Sequence, residues 1–234
     1  MSPDTEFMTS ILWNYSDTIS PIFAAILLLA CYVMKCQQTG FGLLLANLFI
    51  SAILMGYSNH LADQYIRNTH IYHIATLLDA CVVPLMLNRM SPRGSRSTLV
   101  VIPAFLAYAL INMFAWEDYR SQFNSNANAI LNIIISIYCF RYFIKLTQDD
   151  EILKFPKLPS FWIVSGFLFY SVVSILVVAG YKNSEWFDKQ ELALIWKIQQ
   201  IANVIKFVLI STGIVCCYRS ISHSSGLSSL AQRR

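Results

Sequence analysis

Seven apolar stretches run through the chain, at about 18–34, 41–59, 71–88, 98–116, 127–144, 160–181 and 193–217, with short polar connections between them. Each is long enough to cross a hydrocarbon core of about 30 Å as a helix. Inside such a core the backbone must satisfy its own hydrogen bonds, which restricts a spanning chain to helices or a closed barrel. No stretch alternates polar and apolar residues as a barrel strand does. The expected fold class is therefore all-α, an integral membrane seven-transmembrane-helix bundle. Composition agrees, since 56% of residues are hydrophobic and only 13% charged, where soluble domains carry about 25% charge.

The flanking charges orient the bundle. Lys35, Arg89, Arg93, Arg96, Arg141, Lys145, Lys154, Lys157, Arg219, Arg233 and Arg234 fall on one side, whereas only Arg67, Arg120, Lys182 and Lys189 fall on the other. By the positive-inside rule the N terminus is expected outside and the C terminus inside. Acids follow the same division: Asp17, Asp63, Glu117, Asp118, Glu185, Asp188 and Glu191 are read as outer, Asp149, Asp150 and Glu151 as inner. The basic residues are spread over several connections rather than gathered on one face, so the net charge of +4 is no nucleic-acid footprint.

Three parts are expected: an N-terminal segment 1–17, the seven-helix domain 18–217, and a Ser-rich tail 218–234 read as disordered and cytoplasmic. "EF" ahead of Met8 has the form of an added tag, and residues 1–7 carry no functional argument. The sequon at Asn14 matters only in a glycosylating pathway. Cys31, Cys36, Cys139, Cys216 and Cys217 cluster near the inner helix ends and Cys81 lies within the third helix, which leaves no pair for an external disulfide. They are read as small packing residues, with palmitoylation of Cys216 and Cys217 as the alternative in a eukaryotic host.

Polar residues within the apolar stretches carry the functional reading. Lys206 lies 15 residues after Glu191 and 13 before Arg219, which at 1.5 Å per residue is about 22 and 20 Å from those boundary charges. Its stem is too short to bring an ammonium from there to the interface. The acid at comparable depth is Asp79 on the third helix. An isolated charge at mid-membrane is costly, so the two are expected to face each other across the bundle interior. Gln199 and Asn203 share the Lys206 face of helix seven, with Trp196 opening the stripe, and Tyr72 and Thr76 share the Asp79 face of helix three. Further polar rows, Asn124, Asn128, Asn132 and Ser136 on helix five and Asn47, Ser51 and Ser58 on helix two, are placed to line a common cavity. The bland alternative for each row is inter-helix hydrogen bonding. The candidate buried polar or ligand-binding site is accordingly Asp79, Lys206, Asn203, Gln199, Thr76 and Tyr72.

A second cluster, His60, Asp63, His70 and His73, surrounds the connection between helices two and three and has the residue types of a zinc site. Seven-helix zinc hydrolases would need further histidines on the last helix, and helix seven has none within its apolar span. The cluster is read instead as a polar outer cap. No phosphate-binding Gly-rich loop, activated serine or paired acids on one helix is present, so no catalytic residue is assigned and a binding role is favoured over an enzymatic one.

The stretches "NTHIYHIATLLDA", "SFWIVSGFLFY" and "IANVIKFVLISTGI" resemble small seven-helix membrane proteins of Bacteroidetes-type bacteria, some of which form the membrane part of sensor kinases. That resemblance implies a bacterial inner-membrane location and a sensor-like module acting on a cytoplasmic signalling partner, and it brings no catalytic residues with it. An acid on helix three with a lysine on helix seven is also similar to the microbial rhodopsins, which implies retinal on Lys206 with Asp79 as counter-ion. The acid usual four residues before the lysine is absent, Ala202 standing there. The expected function is a receptor-like membrane sensor that binds a small or lipid-like ligand, or protons, at the midplane site. The alternatives are a transporter or channel component, a retinal protein and a metal-dependent membrane hydrolase. The expected partners are the lipid bilayer, a cytoplasmic signalling chain and, as an open alternative, a second copy in a homo-oligomer.

Overall fold

The computed structural model describes residues 15–34, 36, 38–92, 94–148, 155–182 and 188–231. The sequon at Asn14, Lys35, Arg93, Glu185, Arg233, Arg234 and the 149–154 charges lie outside them. Seven helices are long and apolar enough to span a membrane: α1 Ser16–Val33, α2 Phe41–Asp63, α3 Thr69–Met90, α4 Thr98–Ile111 with a π-helical continuation Asn112–Trp116, α5 Ser125–Thr147, α6 Pro159–Lys182 and α7 Lys189–Ala231. The architecture is that of a polytopic integral membrane protein. Large apolar side chains such as Phe23, Ile53, Leu99 and Leu176 remain on the outer surface, as a bilayer solvent requires.

Most helix ends that depart from the apolar limits extend beyond them. α2 continues past residue 59 to Asp63, and α3 runs from Thr69 to Met90 rather than 71–88. Hydropathy marks where lipid ends, whereas a helix continues as long as its backbone bonds close. α7 likewise runs to Ala231, through the segment read as disordered, because "SISHSSGLSSLA" contains no proline to stop it. α1 begins at Ser16, so Ser16 and Asp17 belong to the first helix and not to an N-terminal segment.

Neighbouring helices pack in chain order, and α1 closes the ring against α7, while α3 also meets α5 directly. The most extensive interface joins α6 and α7. Glycine makes it: a Cβ on Gly166 would stand 2.9 Å from the Lys206 carbonyl oxygen, and one on Gly213 would stand 2.6 Å from that of Pro159. Small residues at such crossings let backbones approach where no hydrophobic force drives association in lipid. Between α1 and α2, Gly40 adopts φ +93°, and a Cβ there would meet the Met90 side chain at 2.9 Å; the turn requires glycine.

One covalent tie crosses the bundle. Cys36, after α1, is disulfide-bonded to Cys217 on α7, 181 residues away. Cys31 Sγ donates to the Ile214 carbonyl at 3.6 Å in the same α1–α7 seam. Cys36 and Cys217 are thus a bonded pair and not the small packing residues that the sequence suggests, and the bond lies at the end of the bundle that the basic residues place inside. Only tertiary packing could bring residues so distant in sequence together. Denatured but unreduced protein is expected to take up four alkylating groups, on Cys31, Cys81, Cys139 and Cys216, and six after reduction. Mass spectrometry reads both numbers, and six without reduction would contradict the bond.

Candidate functional site

α7 presents Trp196, Gln199, Asn203 and Lys206 at steps of three, four and three, and α3 presents Tyr72, Thr76 and Asp79 at four and three; these spacings keep each set on one face. The bundle turns both faces inward onto one cavity of about 110 Å³. All six residues of the sequence-derived site line it. Ser51 of α2 and Asn128 of α5, members of the other polar rows, line it as well. Asn47 stands behind Asp79 and donates its Nδ2 to Oδ1 at 2.8 Å.

Asp17 of α1 is the residue that sequence reading misplaced. Counted there among the outer acids, it lines this cavity, where its Oδ1 accepts Asn203 Nδ2 at 2.6 Å. Its position at the first turn of an apolar helix is the usual signature of a boundary charge, and nothing local distinguishes it from one. Asp17, Asp79 and Lys206 all keep partly accessible surface although other helices enclose them. That surface is the cavity.

Lys206, Asp79 and Asp17 line the same cavity. The expected direct contact is not made: no ion pair joins these three among the described residues. The Lys206 ammonium lies instead over aromatic faces, 4.1 Å from the Tyr170 ring centre and 4.3 Å from that of Phe207, with Phe167 at 6.0 Å. Cation–π attraction of this kind is worth about 2 kcal/mol or more once the charge is desolvated. The two carboxylates are held by amide donors from neutral asparagines. Gln199 Nε2 is committed to Ser174 Oγ at 2.7 Å, and Thr76 Oγ1 returns to the Tyr72 carbonyl of its own helix at 2.9 Å.

Rings close the end of the cavity where α3 and α7 begin. Tyr72, Phe123, Trp196 and Tyr181 form a continuous cluster, with centroids 5.4 Å apart for Tyr72 and Phe123 and 5.8 Å for Tyr181 and Trp196. Phe123 comes from the connection before α5. There Asp118 accepts Ser121 Oγ at 2.8 Å and the Arg120 N–H at 3.1 Å, bonds that shape the turn and hold its carboxyl below the usual carboxylate range. Beside it the π-helical end of α4 brings buried Asn112 to Glu117, with Asn112 Nδ2 donating to Oε2 at 2.7 Å. Glu117 Oε1 also accepts the Asn126 N–H at 3.0 Å in the first turn of α5, and Lys182 Nζ donates to Asn126 Oδ1 at 2.7 Å. This network, which sequence reading did not identify, pins the ends of α4, α5 and α6 around the ring cluster.

The histidine cluster does not assemble. His60 pairs with Gln64 at 3.2 Å, Asp63 accepts the Tyr15 hydroxyl, and His73 contacts the Gln122 carbonyl at 3.3 Å. Among the described residues no three His, Cys, Asp or Glu side chains are placed to hold a metal ion. The residue types suggest a site, but His60, Asp63 and His73 turn to three different neighbours. For retinal, the acid and lysine share the cavity but the space does not suit. It lies well below the roughly 300–1,000 Å³ of ordinary organic-ligand pockets, and a retinoid chain would not fit without the bundle opening. Compared with known proteins, the chain matches no family, no curated protein and no solved structure.

Proposed function

We propose that this protein is a receptor-like membrane module that binds a small polar ligand in the mid-bundle cavity and passes the change to a cytoplasmic partner. One observation carries the reading: charged and polar side chains from α1, α3 and α7 converge on one cavity that is also lined by the rings of Tyr72, Phe123 and Trp196. A packing role alone would need direct contact between the opposite charges, because a buried pair repays its desolvation only in close geometry. The charges instead keep surface toward the cavity. Ligand binding has a route to the rest of the molecule, since α7 carries Lys206 and continues without a break to Ala231. The resemblance to membrane parts of sensor kinases supports the signalling half of the reading. The excess of basic residues around the α1–α2, α3–α4 and α5–α6 connections and after α7 supports placing the C terminus in the cytoplasm.

Two measurements test it. A cytoplasm-dependent reporter fused after Arg234 should be active, and the same reporter in the 117–123 connection should be silent; the reverse result would overturn the orientation. Purified protein in liposomes should bind solute without moving it across the bilayer. Net flux through this chain alone would establish the transporter alternative.

A further inference from the structure

The balance of charge and hydrogen-bonding groups in the cavity deepens that reading toward one class of ligand. Two carboxylates, Asp17 and Asp79, share the space with a single ammonium, Lys206. Each carboxylate accepts one amide hydrogen bond and keeps capacity for more. Asn47, Asn203, Gln199 and Thr76 each already donate one hydrogen bond within the protein. Lys206 is turned onto Tyr170 and Phe207 rather than onto the acids. The cavity thus offers a ligand two carboxylates and the rings of Tyr72, Phe123 and Trp196.

We propose that the cavity binds a small organic ammonium ion, its charge held by Asp17 and Asp79 beneath the rings of Tyr72, Phe123 and Trp196. One positive charge balances the excess carboxylate, and aromatic faces attract alkylated ammonium groups by their quadrupole. An anion would meet two carboxylates, and with a neutral ligand a proton rather than the ligand would have to neutralise the excess carboxylate. The small volume restricts the ion to a few heavy atoms around nitrogen. The proposal rests on the cavity being a ligand site at all, and the test separates the two claims.

The full-length protein in lipid nanodiscs would be titrated calorimetrically with choline, with ethanolamine, with the carbon isostere of choline in which the nitrogen is replaced, with glycerol and with propionate. Binding of choline or ethanolamine is expected, with the isostere at least about tenfold weaker for want of the charge. Asp17→Asn should weaken ammonium binding by about tenfold or more while the protein stays folded by thermal unfolding. Trp196→Leu, which removes a ring and no charge, should weaken choline more than ethanolamine. Equal binding of choline and its isostere would overturn the proposal, as would failure of both ammonium ions. If both fail while propionate or glycerol binds, the ammonium assignment falls and the ligand site stands. If nothing binds in any class, both claims fall.

Discussion

Lys206→Met is expected to be the most destabilising single change in the cavity, costing about 3–5 kcal/mol, the soluble-protein value for leaving a buried charge uncompensated. The reason lies in the count of charges. With Lys206 present the cavity carries two carboxylates against one ammonium, and without it the two carboxylates face each other uncompensated. Asp79→Asn or Asp17→Asn instead leaves one acid against one base and preserves an acceptor for the asparagine on each side, so either should cost much less. The combination Asp79→Asn with Lys206→Met should then recover roughly 1 kcal/mol or more relative to the sum of the single losses. The cation–π contacts with Tyr170 and Phe207 set a limit on that recovery, because no acid substitution restores them. Thermal unfolding of the five proteins in one detergent measures all of this. A Lys206→Met loss no larger than that of Asp79→Asn, or strictly additive losses, would show that the three charges do not share a site.

The second large effect is expected at Gly213. A Cβ there would stand 2.6 Å from the Pro159 carbonyl oxygen and 2.8 Å from Ile163 Cγ1. The carbonyl belongs to the first residue of α6 and has no rotamer by which to move aside. Gly213→Val must therefore push α6 and α7 apart along the most extensive interface of the bundle, and overpacking of this kind costs typically 1–3 kcal/mol, occasionally more. Gly166→Val should act similarly and also shift the Lys206 backbone, whose carbonyl it abuts at 2.9 Å. Gly56→Ala is the matched control, since the nearest atom to its added Cβ is Thr18 Cγ2 at an ordinary 3.5 Å; it should be neutral or slightly stabilising through helix propensity. Detergent melting curves in which Gly213→Val behaved like Gly56→Ala would rule out the close crossing.

The two effects meet at α7. Gly166 fixes the height of the Lys206 backbone against α6, and Asn203, one turn earlier, reaches Asp17 on α1. Since α1 and α7 are joined again through Cys36 and Cys217 at the far end, α7 is held along its length by two partners. A ligand that drew Asp17 and Asp79 toward itself would act directly on that helix.

How far the sequence reaches can be seen residue by residue. Apolar length located all seven helices, because a backbone crossing lipid has no other way to satisfy its hydrogen bonds. The spacing of Tyr72, Thr76 and Asp79 and of Gln199, Asn203 and Lys206 marked two polar faces, and both open on one cavity, because polar stripes on spanning helices turn away from lipid. That much is local, fixed by helical period and the solvent around it. Helix termini were legible only within several residues, since α2, α3 and α7 continue beyond the apolar zone. What the sequence left open depends on which helix lies beside which. Asp17 looks like any boundary acid until α1 packs against α7 and brings it to Asn203. His60, Asp63, His70 and His73 look like ligands until their neighbours divide them. Lys206 looks paired to Asp79, yet its ammonium lies over the rings of Tyr170 and Phe207. Period and hydropathy determine the faces of a helix, but the partner of each side chain is set by the rotation and neighbours of the helices, and those follow from the packing of the whole bundle.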